Sequence, residues 1–109
     1  MEYLENEIKF GDFIRNHKRC IVYFFSDKCE FCEDMEEYLK QLEKEMPVGI
    51  LKVDIEMFED IAEHYAVDGV PWLLIFKEGL IETFIEGYPE GEEDEITKDI
   101  RQVLMDGVV

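Results

Sequence analysis

Cys29-Glu30-Phe31-Cys32 is the segment in which residue types and spacing point most directly to chemistry. A thiolate is both a nucleophile and a metal ligand, so two cysteines separated by two residues offer either disulfide exchange or half of a zinc site. In the exchange reading one thiolate attacks a partner disulfide, and the second cysteine resolves the mixed disulfide by closing an internal bond. Zinc would need two further ligands, and Cys20, His17 and His64 have no ligand-like spacing to the pair, so no metal is expected. A third reading, two helix-start cysteines that do no chemistry, stays open at this point.

The elements around the pair favour exchange. Cys20-Ile21-Val22-Tyr23-Phe24-Phe25 is a run of β-branched and aromatic residues, the pattern of a strand buried on both faces. From Cys29 onward Phe31, Met35, Tyr38, Leu39, Leu42 and Met46 fall on one face of a helical period, and Pro47 ends that helix. The pair therefore sits where a strand hands over to a helix. Three residues is close to one helical turn, so both sulfurs fall on one side. The positive end of the helix favours a thiolate on the first cysteine, which makes Cys29 the expected nucleophile and Cys32 the resolving thiol.

The remaining elements read in sequence. A short strand is predicted over Glu2 to Glu5, and a helix carries Phe10, Phe13, Ile14 and His17. After the central helix come a strand from Gly49 to Ile55 and a short helix through Met57, Ile61, Ala62 and Tyr65. Trp72 to Phe76 is a strand that Lys77-Glu78-Gly79 turns back into Leu80 to Ile85, so those two strands should be antiparallel. Acidic residues from Glu90 to Glu95 are expected to precede a last helix marked by Ile96, Ile100, Val103 and Leu104. The order β-α-β-α-β-α-β-β-α predicts an α/β fold, a central mixed sheet with helices on its faces.

Composition bounds the rest. A length of 109 residues fits one domain spanning 1–109, and 47% hydrophobic residues are enough for a core. With 11 basic and 28 acidic residues the net charge is −17, which disfavours nucleic acid and anionic membranes as partners. No apolar run reaches the roughly 20 residues of a membrane span, and the first residues lack a signal peptide's pattern. A cytoplasmic monomer is the expectation.

Cys29-Glu30-Phe31-Cys32 after a hydrophobic strand, Ala62 and Tyr65, Val70-Pro71, Phe76-Lys77-Glu78-Gly79 and Gly87 together resemble the thioredoxin family. The likeness runs without a gap from about Cys20 to Gly87. It implies a thioredoxin-like fold and a thiol-disulfide oxidoreductase that reduces protein disulfides, with no cofactor beyond a redox-active Cys29–Cys32 disulfide. Disulfide-containing client proteins and an upstream donor resembling thioredoxin reductase are the implied partners. Val70-Pro71 matches the family's cis-proline, whose backbone receives an extended substrate peptide. Lys52 matches a lysine buried behind the resolving cysteine, or else is an ordinary strand lysine in solvent.

The departures from the family pattern are specific. Glu30-Phe31 replaces Gly-Pro between the cysteines, and Lys28 stands where the family carries tryptophan. Glu30 opposes a Cys29 thiolate while Lys28 favours it. Tyr23 replaces the buried aspartate beneath the resolving cysteine and cannot act as a carboxylate. Removal of the Cys32 proton would then rely on water, Lys52 or a nearby acid. Trp72 follows the proline where threonine is usual, either widening an apolar rim for substrate or packing in the core. These changes keep two alternatives alive, a disulfide isomerase or oxidase and a non-catalytic interaction module.

Overall fold

Alternation in the strands sets the architecture of the computed structural model, which describes residues 1–105. The chain runs β1 (Glu2–Tyr3), α1 (Ile8–Asn16), β2 (Arg19–Phe25), α2 (Cys32–Glu45), β3 (Gly49–Asp54), α3 (Glu59–His64), β4 (Trp72–Lys77), β5 (Leu80–Glu86) and α4 (Glu93–Met105). One sheet holds the strands in the order β1-β3-β2-β4-β5, with β1, β3 and β2 parallel and β4 and β5 antiparallel. The predicted element order and the Leu80 return strand are therefore both present.

Strand β2 runs through the middle of the sheet and is buried on both faces because each face is covered by helices. Cys20, Val22 and Phe24 join Phe13, Leu51, Val53, Leu74 and Phe76 in one core cluster. Ile21, Tyr23 and Phe25 point the other way and pack with Met35, Leu39, Leu42, Ile100 and Leu104 of α2 and α4. The period of two thus assigns Tyr23 to the face that α2 covers.

Strand β1 ends at Tyr3 rather than Glu5 and β3 at Asp54 rather than Ile55, and three helix boundaries also differ from the sequence reading. Helix α2 begins at Cys32 rather than Cys29, because Cys29 N–H bonds to the Ser26 carbonyl at 3.2 Å and Glu30-Phe31 form a turn. Helix α4 begins at Glu93, so Glu93, Asp94 and Glu95 lie within its first turn rather than before it. Negative charge there complements the exposed N–H groups. Helix α3 spans only Glu59–His64, and Phe58 rather than Met57 enters the core, at 5% against 61% exposure.

Candidate active site

Cys29 and Cys32 form a disulfide with Cα atoms 5.4 Å apart, in the loop between β2 and the first turn of α2. Cys32 is buried, whereas Cys29 is partly exposed and packs against the same cluster. The partly exposed cysteine is the one a partner can reach. The Phe31 side chain caps none of the N–H groups of the first turn, and its carbonyl accepts only from Met35 N–H at 3.0 Å, so the earlier N–H groups remain directed at the loop. Lys28 and Glu30 flank the pair, one cationic and the other anionic, and both are exposed.

The Val70-Pro71 peptide bond is cis. Val70 packs against the cluster that holds both cysteines, which brings this loop to the dithiol. Gly87 closes the loop from behind: its N–H donates to the Pro71 carbonyl at 2.8 Å, and its φ of 75° is the left-handed conformation that favours glycine. Among the described residues the N–H and C=O of Val70 have no backbone partner. An extended peptide laid along the loop would find both groups free.

Trp72 lies elsewhere. It is only 7% exposed, belongs to the core cluster on the face opposite α2, and stacks on Phe84 with ring centroids 5.6 Å apart. Tryptophan at this position packs rather than widening a rim, because the first residue of β4 points to the α3 face. Phe31 supplies the exposed apolar surface instead, at 38% exposure and stacked on Tyr88 at 6.4 Å. The Tyr88 phenol donates to the Glu93 carboxylate at 2.7 Å, a bond that pushes the phenol up to about 12 and holds the Glu93 carboxyl below its ordinary value.

Beneath Cys32 the strand register places Tyr23 beside Lys52. The Tyr23 hydroxyl, fully buried, lies 3.1 Å from the Cys32 carbonyl oxygen and 3.4 Å from a carboxylate oxygen of Glu36. Burial first, and then the charge and hydrogen bond of Glu36, push the Tyr23 phenol up. It stays a donor throughout the neutral range. Lys52 is not an ordinary solvent lysine: its ammonium sits 2.8 Å from the other Glu36 oxygen, over the Phe25 ring at 4.3 Å, with the side chain 19% exposed. Sequence reasoning placed Tyr23 and Lys52 at the site and missed Glu36. The signal was its spacing of one helical turn after Cys32, which puts the two side chains on one face.

Cys20 lies fully buried in β2, and burial pushes its thiol up to about 11. Among the described residues no cluster of three or more His, Cys, Asp or Glu is placed to hold a metal ion. Nor is any helix among them long and apolar enough to cross a membrane.

Comparison with known proteins agrees with this geometry. The thioredoxin family profile matches residues 2–102. Thioredoxin of Chlamydia trachomatis serovar D is 40% identical over 60 residues, 54% of this chain; the chain spans 59% of that relative's length. Thioredoxin H-type 2 of Nicotiana tabacum is 31% identical over 88 residues, 80% of this chain and 72% of its own. Among solved structures, a mutant thioredoxin from Halobacterium salinarum NRC-1 superposes with a TM-score of 0.84 at 22% identity, covering 94% of this chain and 88% of that one. That likeness is one of fold. Family profile, relatives and the cysteine pair at disulfide distance converge, and this chain belongs to the thioredoxin family.

Proposed function

We propose that this protein is a thiol-disulfide oxidoreductase that reduces disulfides in client proteins. The observation that carries the reading is the Cys29–Cys32 pair itself, bonded to each other with one cysteine partly exposed and the other buried. The cycle starts from the dithiol. The Cys29 thiolate attacks one sulfur of a client disulfide, forming a mixed disulfide and releasing one client thiolate. Cys32 loses its proton and attacks the Cys29 sulfur, the internal disulfide forms, and the second client thiolate leaves. The client gains two electrons and the dithiol loses them.

Val70 and Pro71 receive the extended client segment through the free Val70 backbone groups, and Phe31 offers it apolar contact. Lys28 and Glu30 act on Cys29 through their opposite charges. The internal disulfide is the redox group, and no separate cofactor takes part. An upstream donor resembling thioredoxin reductase returns two electrons to the pair. The reducing interior of the cell, where such disulfides are transient, is the compartment that suits this cycle, and the protein works there as a monomer.

Insulin reduction tests the reading. Cys29→Ser abolishes turnover, whereas Cys32→Ser accumulates a mixed disulfide between Cys29 and the client, visible by mass. Full activity in Cys29→Ser would overturn the assignment.

A further inference from the structure

The resolving step needs a base, and the buried side chains around Cys32 show where it is. Tyr23 reaches Cys32 from below but is a phenol that burial keeps protonated. Lys52 is engaged as a cation at 2.8 Å from Glu36. The one carboxylate these two groups share is Glu36, on α2 one turn after Cys32. Side chains on a helix lean back toward its N-terminus, so the Glu36 carboxylate lies over the turn that Cys32 opens. Its side chain is 27% exposed and that of Lys52 is 19%, so this is a partly buried pair placed behind the disulfide rather than a solvent ion pair.

We propose that Glu36 accepts the proton of the Cys32 thiol during resolution, with Tyr23 and Lys52 as the positioning residues that hold its two oxygens. The inference rests on the reductase reading above. Tyr23 has a single hydroxyl hydrogen and two acceptors, the Cys32 carbonyl and Glu36, so it ties the carboxylate to the residue it serves. Lys52 balances the carboxylate charge that would otherwise sit unpaired beside a forming thiolate. In the step, Cys32 S–H gives its proton to Glu36 as the Cys32 sulfur bonds to Cys29. The bond from Cys29 to the client breaks, and the departing client thiolate takes up a proton from Glu36 or solvent. The groups bonded to Glu36 are Tyr23 from β2 and Lys52 from β3, and at one helical turn along α2 lie Cys32, Glu33 and Lys40, the last placed 3.9 Å from Glu37.

The test is a reaction of the reduced protein with an aromatic disulfide that releases a coloured thiolate. The first equivalent reports attack by Cys29 at a rate that scales with probe concentration, and the second reports resolution by Cys32 at a rate that does not. In wild type the second rate is nearly level across the neutral range. In Glu36→Gln the ratio of second to first rate falls at least about tenfold near pH 7, a modest loss for a removed proton acceptor. The second rate then climbs about tenfold per pH unit as Cys32 ionises unaided. Glu36→Gln with Lys52→Met, which leaves no orphaned cation, shows the same profile and guards against loss of fold. A second phase in both variants with the wild-type pH profile would overturn the proposal. If wild type releases no more thiolate than Cys29→Ser, the reductase reading itself fails and takes this inference with it.

Discussion

Cys20 and Cys29 differ in surroundings more than in sequence context. Cys20 is fully buried with its thiol raised to about 11, while Cys29 is partly exposed beside free helix-start N–H groups. Iodoacetamide at mildly alkaline pH should therefore modify Cys29 in the reduced, folded protein and leave Cys20 intact until denaturant is added, which peptide mass analysis would read. Equal labelling of both would contradict the packing of β2. Tyr23→Phe removes the hydroxyl from the Cys32 carbonyl and from Glu36, and should lower stability in urea by about 1 kcal/mol. The cysteine pair was legible in the sequence because it sits between a buried strand and a helix and no further residues have the ligand-like spacing that a zinc site would need. Glu36 was not, since one acid among 28 in the chain acquires meaning only when the β2–β3 register sets Tyr23 beside Lys52 under α2.

Elements meet at contacts that respond to substitution and pH. A Cβ added to Gly49 at the start of β3 would lie 2.5 Å from His17 Cδ2, and that ring is itself stacked on Phe13 at 4.1 Å. Gly49→Ala should cost about 1–3 kcal/mol in urea unfolding, and combining it with His17→Ala should recover part of the loss. At the start of α4 the Tyr88–Glu93 bond has a defined pH window. Glu93 is held below its ordinary value, so its share of the stability is lost as pH falls through that depressed value. Tyr88 is raised from 10.0 to about 12, so its share is lost as pH rises through that range. The destabilisation caused by Tyr88→Phe should therefore be greatest at neutral pH and disappear at both extremes, measured as the shift in urea midpoint. Periodicity made the existence of every element legible. Helix starts were less so: α2 begins three residues late because the Cys29–Phe31 turn is set by a backbone bond to Ser26, which no side-chain pattern announces. Trp72 likewise shows its role only once the strand face it occupies is known.

At the scale of the whole molecule, the continuous apolar run of β2 carried the fold, because a strand buried on both faces requires a central place in a helix-covered sheet. The charge of −17 adds a long-range effect. Clients with basic surfaces should be attacked faster at low salt, and their rate constants should fall steeply as the Debye length shrinks to about 10 Å near 0.1 M. An uncharged small disulfide should show little such dependence, which stopped-flow kinetics would separate. Whether Cys29 and Cys32 form one redox couple is decided by equilibrating the protein in dithiothreitol or glutathione buffers, quenching, and counting alkylated thiols by mass. A single two-electron transition of these two cysteines is expected, with a midpoint below about −230 mV, on the reducing side. A midpoint near −180 mV or above would assign the couple to isomerisation or oxidation instead. An internal disulfide that forms at no poise would contradict the redox role outright.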